Sequence, residues 1–426
     1  MKILVLSNLY PPDVIGGYEL GCKQVVDALR GRGHDILVLT TAPRTPAARV
    51  GHVIRDFQLS EVWNHYLFTH SRPITAHLLQ VQSSLVNAHN VHVLGRLVEA
   101  FQPDVIYVWN LIGVGGIALI AAVQHLGLPW VWHLMDDVPV ELCRLGDQRS
   151  EPLLREINRQ LDGRFLACSR QLVEEVEAGG IELESRVDIV PNWVVGPAPA
   201  PRTRVYRADL GDTLRIMAAG QINRNKGVDV LIEAAALVRT RGYDRFTIDL
   251  YGLVDDPRFQ ALARHRGLDR QIHFRGPRPQ ADLAQLYADH DLFAFPTWDR
   301  EPFAFAPLEA SRQGCVPLMS QRSGNAEWFV SGVHCLKADR TPEAFADAIV
   351  GVLSGATHLE PIARRVAGVV GRDFHLDALI PAIERPLVQA ADSPRRRGGT
   401  AADAYRLALL AEKLAKVLVS ETIAAA

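Results

Sequence analysis

Cysteine is scarce in this 426-residue chain, and the five present (Cys22, Cys143, Cys168, Cys315, Cys335) are odd in number, scattered and never spaced as C-x-x-C. That pattern excludes a disulfide scaffold or a cysteine-held zinc and fits reduced, buried thiols. Long apolar runs are missing as well: no stretch of about 18 residues is free of polar groups, so nothing reads as a membrane span. Neither sign of charge is in excess. Lysine and arginine number 46 against 48 aspartates and glutamates, and a net charge near −2 carries no electrostatic footprint for nucleic acid. The first residues show no charged leader and no small-residue cleavage site, running straight into KILVL, so the expected location is the cytoplasm. Lysine itself is rare, six against forty arginines, so a lysine at a strand-to-helix turn stands out.

What is present suffices for two cores of ordinary size, with 48% hydrophobic and 22% charged residues. The first half alternates β-branched runs (KILVLSN, DILVLTT, DVIYVWN, WVWHLM, RFLACS, VDIVPN) with helical patterns over about 17–30 and 75–100. Nearly continuous apolar character suits parallel strands covered on both faces. The proline-rich run PNWVVGPAPAP, 191–201, breaks structure and reads as a linker. A second series follows, LRIMAAG, FTIDLYG, IHFRG, LFAFP and VPLMS, with helices after Gly227 and over about 342–353. The expected fold is α/β, two Rossmann-like doubly wound domains facing a central cleft. Their expected extents are 1–195 and 202–370, with about 371–426 packing back on the first. Residues 401–420 form an Ala/Leu-rich amphipathic helix that either packs on the body or serves an interface.

Open α/β sheets bind ligands beyond the carboxyl ends of their strands, so the residues there are the candidates. After the first strand, Gly16 and Gly17 precede a helix whose N-terminal amides could hold a phosphate; a turn needing glycine for its backbone angles is the plainer reading. After LRIMAAG, the loop QINRN leads to Lys226, whose ammonium would face a phosphate or simply be solvated. Beyond LFAFP, the run TWDREPFAFAPLEA carries Glu301 in a loop and Glu309 in the next helix. A helix starting near Phe303 sets Glu309 roughly two turns along. Glu301 suits sugar hydroxyls and positive charge on an anomeric carbon and Glu309 the two hydroxyls of a ribose; a solvated surface is the plainer reading of two such glutamates. His133 follows WVW, with Asp136 and Asp137 beyond it, and fits a sugar contact, proton transfer or a buried structural place. His65, His70, His77, His89 and His92 lack cysteine or carboxylate companions and read as acceptor-groove lining or helix surface, not as metal ligands.

In order along the chain, PPDVIGGYE, GHDILVLT, the His133 strand, LACSRQL, VPNW, KGVDVLIEAA, IHFRG, LFAFPTWDREPFAFAPLEASRQGCVPL and SGNAEWF resemble the family 4 glycosyltransferases. These are retaining, nucleotide-sugar-dependent enzymes of the GT-B fold, and the EPF segment with its second glutamate is the most specific piece. The resemblance implies that Gly17, beside Gly16, contacts the donor's distal phosphate and that Lys226 neutralises the leaving diphosphate. It implies that Glu301 contacts the transferred sugar, Glu309 the ribose, and backbone amides from Phe303 through Ala304 to Phe305 the sugar or phosphate. His133 is its donor-sugar histidine, and Arg275 and Gly276 lie by the nucleobase. No metal or other cofactor is implied. The co-substrate is a UDP- or GDP-linked sugar, and the acceptor a glycan, a lipid-linked molecule or a small molecule. Contact with the inner face of a membrane is compatible with the sequence.

Three departures stand out. Gln221 replaces the family's arginine after Gly220, which makes Arg224 the expected substitute; Ala304 replaces a common glycine; Trp193 replaces the glycine after Pro-Asn. With no carboxylate pair flanking the anomeric carbon, front-face attack, the leaving phosphate accepting the proton, is favoured over a covalent glycosyl-enzyme. The alternatives are a GT-B-fold UDP-sugar epimerase and a non-catalytic nucleotide-sugar-binding protein.

Overall fold

The computed structural model describes residues 1–43, 50–60, 85–144, 151–197, 206, 211–394 and 398–424; His65, His70 and His77 lie outside them. The chain divides into two compact units. Met1–Ala167, Leu172–Val190 and Ile380–Ala426 form the first; Cys168–Gln171 and Pro191–Leu379 form the second. The crossing thus falls at Val190–Pro191, ahead of the proline-rich stretch, and the return at Ile380 rather than near 371. Hydrogen bonding explains both positions. Val194 N donates to Phe374 O at 2.8 Å and Leu376 N to Val194 O at 3.0 Å. The Arg312 guanidinium clasps the carbonyls of Val195, Gly196 and Pro197, and His375 Nε2 lies 3.0 Å from Gly196 O. Val194–Pro197 are therefore held by the second unit.

The first unit's sheet contains β1 (Lys2–Leu6), β2 (Asp35–Thr41), β3 (Val53–Phe57), β4 (Val105–Val108), β5 (Trp130–Leu134), β6 (Arg164–Ala167) and β7 (Val187–Ile189). Their order is β3-β2-β1-β4-β5-β6-β7, all parallel, with Ile3 paired to Ile36 on one side and Val105 on the other. The second unit's sheet contains β8 (Leu214–Ala219), β9 (Phe246–Tyr251), β10 (Ile272–Phe274), β11 (Leu292–Phe295), β12 (Val316–Ser320) and β13 (Leu336–Ala338). Their order is β10-β9-β8-β11-β12-β13, again parallel. Central strands such as β4 and β5 are buried along their whole length, which is why they read as unbroken apolar runs. The sequence reading misses β3 and β13. Both are edge strands, the first carrying Arg55 and Asp56, the second only three residues long, so neither shows an apolar signature.

Each sheet reverses its winding once, between β1 and β4 and between β8 and β11, and ligand crevices form at such reversals. In the second unit the helix Val228–Thr240 starts from Gly227 at φ +71°. A Cβ on Gly227 would sit 1.9 Å from Pro296 O, so only glycine lets the turn after β8 touch the exit of β11. The C-terminal helix Ala401–Ala424 packs on the helix Ala88–Phe101. Buried Ala404 and Ala408 lie on its inner face, the His92 and Tyr405 rings are 4.8 Å apart, and Glu412 Oε2 accepts from Ala88 N at 2.8 Å.

Candidate functional site

At the second unit's reversal, Trp298 N donates to Asn225 O at 2.8 Å, tying the loop after β11 to the turn after β8. Glu301 and Lys226 meet there. The ammonium pairs with Glu301 Oε2 and lies 5.6 Å from the centre of the Phe295 ring, while the Thr297 hydroxyl donates to the same oxygen at 3.0 Å. Glu301 is only 7% exposed, and that cation and that hydroxyl supply the partners a buried carboxyl needs.

Glu309 sits in the first turn of the helix Ala306–Arg312. Gln280 Nε2 donates to Oε1 at 2.9 Å and the Tyr287 hydroxyl to Oε2 at 3.3 Å. Burial pushes this carboxyl above its ordinary range, and two neutral donors only partly offset that. Just past β10, Arg275 Nε donates to Asp249 Oδ1 at 2.8 Å, and His273 and His290 contact the same carboxylate at 3.2 and 3.0 Å. Burial acts to raise the Asp249 pKa, but bonds from His290 and Arg275, with the charges of both, bring it to about 2. Arg275 is thereby oriented through its Nε.

At the first unit's reversal, a cavity of about 250 Å³ opens between the exits of β1 and β4, lined by residues that include Leu9, Gly16, Gly17, Glu19, Asn110 and Ile112. Glu19 Oε2 accepts from Ile15 N at 3.1 Å and Gly16 N at 3.0 Å at the start of the helix Gly17–Gly31. It is 5% exposed, and burial raises its carboxyl above the ordinary value.

Residues 16–193 match the family profile described as a glycosyl transferase 4-like domain, and residues 213–355 that of the glycosyl transferases group 1. Glycogen synthase of Mycobacterium tuberculosis is 26% identical over 398 residues, spanning 88% of this chain and 91% of that protein. The solved structure of sucrose-phosphate synthase from Thermosynechococcus elongatus superposes with a TM-score of 0.70 at 17% identity, covering 91% of this chain and 98% of the other. Anabaena HepE in complex with UDP gives a TM-score of 0.65 at 18% identity, covering 91% and 100%. The chain is a glycosyltransferase of the GT-B type.

In the glycosyltransferase, His133 is next to last in its strand, as the sequence reading set it. It stands inside β5 at 0% exposure, Nδ1 lying 2.6 Å from the Tyr107 hydroxyl and its ring 4.4 Å from that of Trp109. Burial lowers its pKa to about 3, so the ring is neutral; β5 ends one residue later at Leu134, and Met135 and Asp136 follow it. Glu309 does not lie where the sequence set it. The helix begins at Ala306, not Phe303, because Pro307 in its interior would clash with the Phe303 carbonyl four residues back. The Ala304 amide is also taken: it donates to Asn325 Oδ1 at 2.8 Å while Asn325 Nδ2 returns to Ala304 O at 2.9 Å.

Arg224 turns outward, 85% exposed at its side chain, and pairs with Asp229 at 3.2 Å. Gln221 accepts from Asn223 at 3.1 Å. Gly276 has φ +73° and its carbonyl accepts from Gly252 N at 3.1 Å, closing the turn beside Arg275. Trp193, 1% exposed, fills space against Phe305, ring centres 5.8 Å apart. Asn192 Nδ2 donates to Phe303 O at 2.7 Å, and Arg340 donates to Pro296 O at 3.0 Å and to Arg224 O. Sequence reasoning assigned no part to Asn192, Thr297, Asn325 or Arg340. VPNW and SGNAEWF were the only signals, since nothing local says what an asparagine will bond. His89 Nε2 lies 3.0 Å from Asp56 O, and the His92 ring packs against that of Tyr405 at a tilt of 51°.

Proposed function

We propose that this glycosyltransferase moves a sugar from a UDP- or GDP-linked donor to an acceptor hydroxyl with retention of configuration, without a metal, in building a glycan, glycolipid or small-molecule glycoside. The Lys226–Glu301 pair at the β8/β11 reversal carries the reading. A departing diphosphate gains negative charge while the sugar becomes oxocarbenium-like, so the site must present a cation and an anion side by side. Lys226 serves the diphosphate, which would compete for it with Glu301. Glu301, kept in place by Thr297, serves the sugar. Glu309 would exchange its bonds from Gln280 and Tyr287 for those of a ribose. The similarity to HepE, whose structure holds UDP, supports a nucleotide donor.

The test is a panel of nucleotide sugars screened by thermal shift, nucleotide release and the anomeric NMR signal of the product. Lys226→Ala should lower kcat by roughly 10²–10³, the usual effect of removing one group that stabilises developing anionic charge. Absence of any stabilising donor would sink the reading, an inverted anomer would end the retaining assignment, and a sugar trapped on Glu301 would end front-face attack. Epimerised donor formed without acceptor would reassign the chemistry.

A further inference from the structure

We propose that Arg340 is a positioning residue for the transfer: its guanidinium braces the turn carrying Lys226 against the loop carrying Glu301, and so sets how cation and anion meet. This role presupposes those given above to the two residues. One planar group bonds to both segments. Arg340 Nε donates to Pro296 O at 3.0 Å, and its Nη2 donates to Arg224 O. Pro296 directly follows β11 on the way to Glu301, and Arg224 lies just before Lys226.

The two carbonyls sit where the segments touch. Arg224 O also accepts from Gly227 N at 3.0 Å, closing the turn in which Lys226 lies. Pro296 O is the atom so near Gly227 that a Cβ there would sit 1.9 Å from it. Beside them, Trp298 N donates to Asn225 O at 2.8 Å and Lys226 N to Asn223 Oδ1 at 3.0 Å. Those bonds join neighbours within the junction, whereas Arg340 braces it from a third element. Its own base is fixed, between β13 and the helix Pro342–Leu353. Thr341 N donates to Asp339 O at 2.7 Å, Gln321 N donates to Ala338 O at 3.0 Å, and the Thr341 hydroxyl caps the helix by accepting from Ala344 N. A guanidinium presents its donors in a rigid fork, so it fixes the spacing of two carbonyls; the ammonium of a lysine, a point charge on a flexible stem, does not. Arg340 is exposed, and it lines a cavity of about 520 Å³ together with Thr297, Asp299, Arg322 and Glu343. Thr297 is the residue that donates to Glu301, so the cavity backs directly onto the pair, and a small cation from solvent can reach the place of the guanidinium.

The experiment compares the full chain as wild type, Arg340→Ala, Arg340→Lys and Arg322→Ala. Turnover is read as nucleotide release from UDP-glucose and GDP-glucose, and amide hydrogen exchange is followed on the same proteins without ligand. Arg340→Ala should lower kcat about tenfold and Arg340→Lys less, since misplacing a reacting group costs rate steeply. Guanidinium chloride at about 20 mM, far below denaturing concentrations, should restore several-fold of the alanine loss and leave wild type unchanged. In a Lys226→Ala background, Arg340→Ala should cost less than about twofold, because a residue acting through Lys226 has nothing left to place. The Gly227 and Trp298 amides should exchange about tenfold faster in Arg340→Ala, with those of β9 unchanged. Arg322→Ala, on the same cavity, should alter none of these, and Arg340→Lys carries the comparison if the alanine variant does not fold. Unchanged exchange at Gly227 and Trp298 overturns the proposal, as does an Arg340→Ala loss equally large with and without Lys226. A wild type that consumes neither donor and binds neither UDP nor GDP counts against the transferase reading instead, and the exchange rates then decide the brace by themselves.

Discussion

Glu301 and Glu309 are eight residues apart, yet their neighbours make them different groups. Glu301 is held by a lysine and a hydroxyl and Glu309 by two neutral donors, so burial raises the Glu309 carboxyl. Two consequences follow from that direction. If the ionised form accepts the ribose hydroxyls, donor affinity should weaken as pH falls through a window above 4.5, the ordinary glutamate value, and Glu309→Gln should bind about tenfold more weakly with no such slope. UDP titrations across mildly acid pH measure both. A carboxyl whose folded pKa is raised favours folding while protonated and costs stability as it ionises, so the penalty grows as the pH rises above the ordinary value. Glu309→Gln should therefore melt higher than wild type at pH 7, the gap closing as the pH is lowered toward the ordinary value, which is the trade expected of a binding residue. The two glutamates could be picked from the sequence, but Gln280 and Tyr287 could not, since they arrive from another helix, and Thr297, four residues before Glu301, shows its bond only once the loop is folded.

At the scale of elements, a few residues decide where helices start and what they touch. Gly227 caps the helix Val228–Thr240 at positive φ with Pro296 O too close for any side chain. Gly227→Ala should cost on the order of 3 kcal/mol in chemical denaturation and lower activity further by displacing Lys226 from Glu301. The contact between the C-terminal helix and the helix Ala88–Phe101 depends on Gly95, where an added Cβ would lie 2.8 Å from the Ala401 Cβ. Gly95→Val should destabilise the full chain by about 1–3 kcal/mol, the usual penalty for overpacking. In a chain ending before Ala401 that penalty should vanish; if it persists, the clash is not with the C-terminal helix.

For the molecule as a whole, the chain forms two units, each with its own parallel sheet, and completes the first with residues from its far end. The groups proposed for the nucleotide, Lys226, Arg275, Glu301 and Glu309, all belong to the second unit. UDP at 100 times its dissociation constant should therefore add about 2.7 kcal/mol to the unfolding transition of that unit in calorimetry. Deleting the residues from Ala401 onward should act mainly on the first unit. Nucleotide stabilisation of the first unit alone would contradict this division.

The sequence by itself determined two doubly wound units, the central strands along the chain and the succession of Gly-Gly turn, lysine turn and paired glutamates, because apolar periodicity and turn chemistry are local and survive in a one-dimensional reading. Tertiary structure alone decided that His133 is core, that Arg224 turns to Asp229, that Val190–Pro191 and Ile380 mark the crossings, and that Asn325 and Asn192 hold the EPF segment. Those outcomes depend on burial and on hydrogen-bond partners that can lie more than a hundred residues away, as Asn192 lies from Phe303, and no local pattern records which distant group will be there.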